Sequence, residues 1–265
     1  MFDIILLISC GLGVGFVSSF FGIGGGAIII PVLFSLFPNL PAQALLPVSL
    51  GMIFFNTIIN LFLFKKQSLL PSKKTFIILF AGCLIGALSG SSILYLIDSL
   101  MIKKIFAITL IVVSIKTFLS KEKTSSDTLT EPPITLFLTG LAGAFLSAIT
   151  GLGGGIIYVP IFMSVIKMPL KYISPFSNTA MLFASSLGLL PHLFKPLDLT
   201  SIELNEFYKM FYIGHVNFLF IFIMLIGASL SSRLGSNLNS KVSFNHKKIA
   251  LGMLLLVFSL KTFVS

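Results

Sequence analysis

One motif occurs twice in this chain: GIGGGAIIIPVLFS, from Gly22 to Ser35, and GLGGGIIYVPIFMS, from Gly151 to Ser164, at a constant offset of 129. Each copy sets four glycines in apolar sequence, where a glycine costs a helix interior about 1 kcal/mol relative to alanine. So costly an interruption, made twice in matching places, marks an internal duplication. The match continues downstream. LPVSLGM (Leu46 to Met52) aligns with SPFSNTA (Ser174 to Ala180) at offset 128, and SIKTF (Ser114 to Phe118) with SLKTF (Ser259 to Phe263) at offset 145. The second half therefore carries an insertion, mostly Lys195 to Tyr212. Residues 1–120 form the first repeat and 134–265 the second. Between them, 121–133 (KEKTSSDTLTEPP) is polar and Pro-bearing, a linker by composition.

The repeats belong in a bilayer, because 56% of the residues are hydrophobic and only 10% charged, far outside the soluble range. The apolar residues come in runs of about 17 to 25, the length that crosses the hydrocarbon core as helix, without the strict alternation of a membrane barrel. Each half reads as five apolar pieces: Ile4 to Phe21, Ala27 to Phe37, Ala44 to Phe64, Phe76 to Ile97 and Ile105 to Leu119, then Ile134 to Thr150, Ile156 to Ile166, Ile173 to Phe194, Tyr212 to Ser231 and Ile249 to Val264. The N-terminus MFDIILLISC has no basic region and reads as a retained membrane segment. The net charge of +10 is spread over short loops, which speaks for membrane topology and against nucleic acid. Cys10 and Cys83 sit in apolar runs as small hydrophobes, so no disulfide or metal site is expected.

The piece after each glycine cluster is about 11 residues, too short to span unaided. Charge decides between the two ways of threading it. If the chain reverses at each cluster, one side receives Lys65, Lys66, Lys73, Lys74, Lys116, Lys121, Lys123, Lys167, Lys171, Arg233, Lys241, Lys247 and Lys248, against Lys103, Lys104, Lys195, Lys209 and Lys261 on the other, 13 to 5. If the chain runs straight through, the split is 10 to 8 and specifies no orientation. The reversal is preferred. It places both termini outside and inverts the second half relative to the first. The expected fold is an all-α integral membrane protein of two inverted repeats, each with a short re-entrant or broken helical hairpin at its GxGGG motif plus about three full spans.

Inverted repeats with broken helices in matching places are how many secondary transporters build a midplane site. Glycine permits the left-handed dihedrals of a tight reversal and lets backbone approach a ligand. The short helices beginning near Ala27 and Ile156 would each point free N–H groups and a positive dipole end at the molecular centre, a site for an anion. All eight carboxylates, Asp3, Asp98, Glu122, Asp127, Glu131, Asp198, Glu203 and Glu206, fall in loops or at segment ends, so none is left in a span to hold a cation. Neutral donors remain at depth: Ser18, Ser19, Ser49, Asn56 and Asn60 in one half, Ser147, Thr150, Ser177, Asn178 and Thr179 in the other. The candidate site joins the backbone of Gly24, Gly25, Gly26 and Ala27 and of Gly153, Gly154, Gly155 and Ile156 to Ser49, Asn56, Ser177, Asn178 and Thr179. Pro31, Pro47, Pro160 and Pro175 are expected to set helix starts, kinks or hinges.

Plainer roles compete for several of these residues. The pairs Gly11/Gly15, Gly82/Gly86 and Gly86/Gly90 suit close helix packing, and intramembrane Ser, Thr and Asn often serve as interhelical glue. Lys116 and Lys261 suit snorkelling at span ends, with attraction of substrate as the other reading. His192 and His215 read as polar caps or as proton-coupling groups. No βαβ unit surrounds GIGGGA, which argues against a dinucleotide site. No buried Asp pair, His-Glu cluster or Ser-His pairing is visible, so an enzyme is not expected, nor any cofactor. An anion channel built from the same parts, and a non-transporting membrane subunit, stay open as alternatives.

The repeated "GxGGG, then proline five residues later" motif, each copy followed by a P-x-S element (Pro47 to Ser49, Pro175 to Ser177), resembles the TauE/SafE sulfite exporter family, also called the toluene sulfonate uptake permease family. The resemblance covers essentially the whole chain. It implies a multi-pass permease of the bacterial inner membrane for small sulfur-containing anions such as sulfite, sulfonates, sulfoacetate or thiosulfate, compatible with proton or ion coupling and with a homodimer. Family members often carry Thr-Ser in the P-x-S element, where this chain has Val48-Ser49. They are commonly drawn with about eight spans, fewer than the ten pieces here.

Overall fold

Apolar sequence in a membrane must satisfy its backbone internally, and this chain does so almost entirely as helix. The computed structural model describes residues 2–21, 23–66, 68–119, 129, 131–197, 204–239, 242 and 244–264. The helices of the first half are α1 (Phe2–Phe21), α2 (Gly26–Leu36), α3 (Ala42–Lys66), α4 (Lys73–Leu94) and α5 (Ser99–Leu119). Those of the second are α6 (Pro133–Thr150), α7 (Gly155–Ser164), α8 (Leu170–Phe194), the one-turn α9 (Glu206–Lys209), α10 (Phe218–Asn239) and α11 (Phe244–Val264). Among the described residues five windows, Ile4–Phe21, Ala42–Phe62, Lys73–Leu94, Pro133–Thr150 and Phe218–Gly235, are long and apolar enough to cross a membrane. By contrast α2 and α7, of 11 and 10 residues, are only about 15 Å long, half a hydrocarbon core.

The glycines expected to pack do so in a reciprocal pattern. α1 lies along α10 and α4 along α6. Gly11 packs on the carbonyl of Met224, and its equivalent Gly140 on that of Leu79. Gly227 meets the carbonyl of Ile8 and Gly82 that of Phe137; Gly235 meets Phe16 and Gly90 meets Phe145. At each position a side chain would collide with backbone, so glycine sets the helix spacing. Under the offsets of 129 and 145 each contact maps onto its mate, and the first helix of either half is held by the third long helix of the other.

The inserted stretch differs from expectation. The apolar run starting at Tyr212 is not yet helix: Tyr212–Ile213 (β1) pairs antiparallel with Val216–Asn217 (β2), Tyr212 opposite Asn217. Gly214 takes a φ of +58° at the turn, a conformation open to glycine. Asn217 then starts α10, its Oδ1 accepting from the Phe220 amide at 3.1 Å while its Nδ2 donates to the Tyr208 carbonyl at 3.0 Å. Pro47 and Pro175 do not set helix starts: each is the sixth residue of its helix, α3 and α8. Lys103 and Lys104 lie in the first turns of α5. Most of the linker expected at 121–133 lies outside the described residues. At its end Glu131 accepts hydrogen bonds from Ser72 (2.7 Å) and Thr75 (2.6 Å) at the start of α4.

Candidate functional site

Each glycine cluster breaks the chain between two helices, α1 from α2 and α6 from α7. Gly24 and Gly25 have φ of +81° and +80°, and Gly153 and Gly154 +72° and +76°, left-handed values that a β-branched residue resists. Gly25 caps α2 and Gly154 caps α7, both without a side-chain hydrogen bond to the first-turn amides. A Cβ on Gly25 would strike Val14 of α1 at 2.6 Å, and one on Gly154 would strike the Tyr158 ring.

The two turns touch. A Cβ on Gly26 would lie 2.6 Å from the carbonyl oxygen of Leu152, and one on Gly155 2.5 Å from that of Ile23. These are one contact made twice, since Gly26 and Gly155, like Ile23 and Leu152, are 129 apart. The N-termini of α2 and α7 therefore abut in the molecule's interior, with Ala27 fully buried and Ile156 at 2% exposure.

Ser49 reaches across the halves, its Oγ donating to the Gly151 carbonyl at 2.7 Å. Its equivalent Ser177 is fully buried with no partner for its hydroxyl among the described residues, and so is Ser147. Asn56 Nδ2 donates to Ser18 Oγ at 3.2 Å. Asn178 and Thr179 donate within their own helix, to the carbonyls of Ser174 (2.8 Å) and Pro175 (2.9 Å), and Asn178 Oδ1 accepts from Asn60 at 3.0 Å. Ser49 thus meets the glycine turns directly, whereas Thr179 serves its own helix and Asn178 ties that helix to Asn60 of α3.

Three residues at the turns escaped the sequence reading. Met181 Sδ faces Gly24 and Gly155, and Ile53 faces Gly24 and Gly153. The two are themselves equivalents, 128 apart, at 1% and 0% exposure. In an apolar helix such residues carry no polar flag, and their shared place in the repeat was the available signal. The third is Tyr158, fully buried, its hydroxyl 3.7 Å from Cys83 Sγ and its ring against Gly143 and Gly154. It stands where the first copy of the motif has Ile29.

Residues 7–262 match the model of the family described as sulfite exporter TauE/SafE. The chain belongs to that family. A probable membrane transporter protein of Methanocaldococcus jannaschii is 33% identical to this TauE/SafE protein over 263 residues, 96% of this chain and 93% of the relative. One from Haemophilus influenzae is 30% identical over 182 residues, 68% of each chain, and the Bacillus subtilis protein YunE, also named a probable membrane transporter, is 26% identical over 262 residues, 90% and 89%. No solved structure matches. With its apolar helices, the TauE/SafE protein is a multi-pass membrane transporter of the cell membrane.

Proposed function

We propose that this protein is a secondary transporter of small sulfur-containing anions, of the sulfite, sulfonate, sulfoacetate or thiosulfate class, working by alternating access between the two glycine turns. The abutting N-termini of α2 and α7 carry this reading, because two uncapped helix starts offer backbone N–H groups and positive dipole ends to one oxyanion. Backbone N–H groups from Gly24 to Ala27 and Gly153 to Ile156 would hold the anion, joined by Ser49, Asn56 and Ser177, with Asn178 and Thr179 lining α8.

The halves act as inverted repeats. Tyr95, just past the end of α4, contacts His215, three residues before α10. This contact between the end of α4 and the approach to its equivalent α10 supports opposite directions for the two helices. Rocking one half on the other would part Gly26 from Leu152 and withdraw Met181 and Ile53, opening the turns to each side in turn. Uptake into proteoliposomes of sulfite, thiosulfate, sulfoacetate, sulfate and taurine tests the reading. Saturable uptake of a sulfur oxyanion that is lost in Gly154→Val is expected. Flux that never saturates would assign a channel instead, and no flux of any of the five would refute the substrate class.

A further inference from the structure

Away from the glycine turns, at the end of the molecule where α4 and α8 finish and α3, α5 and α10 begin, lies a buried titratable cluster. His192, near the end of α8, is fully buried, and His215, on the β1–β2 turn, is 7% exposed. Tyr95 Oη lies 2.6 Å from His192 Nδ1, and the Tyr95 ring stands 5.4 Å from that of His192 and 5.3 Å from that of His215. The two imidazoles are 6.4 Å apart, and the His215 amide donates to the His192 carbonyl at 2.8 Å. Lys195 Nζ sits 3.5 Å over the Tyr95 ring.

Two atoms of this cluster lack a partner among the described residues: His192 Nε2 and His215 Nδ1. A buried imidazole nitrogen left unpaired is costly, and a structure that carries two of them on adjacent rings needs a reason. The ring nitrogen that carries no hydrogen offers a lone pair able to take up and release a proton when water reaches the cluster. A second proton is opposed by the first and by Lys195, so the pair takes one at a time.

The other charged and titratable groups nearby are turned elsewhere. Asp98, three residues past Tyr95, spends its Oδ1 on the Met101 amide at 2.6 Å. Glu206 is paired with Lys209 at 2.9 Å. The start of α3 contributes Gln43, which is neutral and bonded to Ile97 and Ser99. Burial holds His215 below its ordinary pKa, with Lys195 adding to it and the backbone of Pro196 and Gln43 acting against.

We propose that His192 and His215, positioned by Tyr95, form the proton-binding site that couples anion transport to the proton gradient. The inference rests on the anion-transport reading above. A proton adds to the free imidazole lone pair from the water on one side and leaves from the same nitrogen to the other, so that the anion crosses with a compensating positive charge. Histidine is the side chain suited to this exchange near neutral pH. α8 links the two sites. It carries Met181 to the glycine turns, and Pro191, which cannot donate to the helix ladder, stands immediately before His192.

The test uses the purified full chain in proteoliposomes with radiolabelled sulfite and thiosulfate, assayed two ways: counterflow at equal pH, and accumulation driven by an acidic exterior. Wild type is expected to show both. His192→Gln and His215→Gln are expected to keep counterflow within about twofold and to lose about tenfold or more of the gradient-driven accumulation, and Tyr95→Phe to shift its pH optimum. Should either glutamine variant fail to fold, Tyr95→Phe and the other carry the test. Counterflow with undiminished gradient-driven accumulation in these variants would overturn the coupling site and leave the transporter reading standing. Absence of counterflow in wild type would remove both.

Discussion

Ser114 Oγ donates a 2.8 Å hydrogen bond to the carbonyl of Gly252. The bond returns with the roles exchanged: Ser259, 145 positions after Ser114, donates at 2.9 Å to Ala107, 145 positions before Gly252. Both hydroxyls are fully buried between α5 and α11. Ser114→Ala and Ser259→Ala are each expected to cost about 0.5–1.5 kcal/mol, equal to within a few tenths, in unfolding followed in detergent. A gap above about 1 kcal/mol between them would contradict the equivalence of the two contacts.

The glycine turns give a sharper contrast. Gly25→Val and Gly154→Val impose a branched side chain on left-handed backbone, a strain of about 1–3 kcal/mol each. Gly13 faces open space. Uptake is expected to fall about tenfold or more in both valine variants and to be unchanged in Gly13→Ala, all compared at equal amounts of folded protein.

Ile53→Ala and Met181→Ala each empty a buried place beside the turns. A loss of about 2–5 kcal/mol in stability is expected from the cavity. A rise in passive anion leak from preloaded liposomes is expected as well, because these two side chains fill the space the turns enclose. Tight liposomes in both variants would deny them a sealing role.

Orientation is testable with single cysteines. The proposed inversion, with α4 and α10 crossing in opposite directions, predicts that Lys74→Cys at the start of α4 and Lys209→Cys shortly before α10 lie on opposite faces of the membrane. Labelling of both by an impermeant maleimide added outside intact cells would defeat the inverted arrangement. The native Cys10 and Cys83 are buried.

His215 predicts a pH dependence of stability. Its pKa is lowered, burial first, so the folded state favours the neutral ring and the unfolded chain binds the proton more readily. That contribution is present above the ordinary value of about 6.5 and is lost as pH falls from there toward the lowered one. Melting temperature in detergent is expected to drop over that interval in wild type and less in His215→Gln.

How much of this was legible depends on which force set each feature. The ten long or half-length helices follow from apolar run length, and the turns at Gly24 and Gly153 from glycine placed where a helix would otherwise continue. The hairpin at Tyr212–Asn217 was hidden because Tyr212 and Ile213 extend an apolar run by composition, while the interruption comes from one left-handed glycine and a capping asparagine. The bond from Ser49 to Gly151 was equally hidden, since pairing across 102 positions is a property of packing. Ser49 looked like a free donor, and the fold uses it as a tie.

Among the described residues that tie has no counterpart at Ser177, and Gly22, which stands in the first half where Gly151 stands in the second, lies outside them. A carrier made of two identical halves would face either compartment with equal ease, each orientation being the mirror of the other in energy. Under the proposed alternating access, a cross-half bond at Ser49 that is not matched at Ser177 among the described residues would weight the two orientations unequally, giving the carrier a preferred resting side.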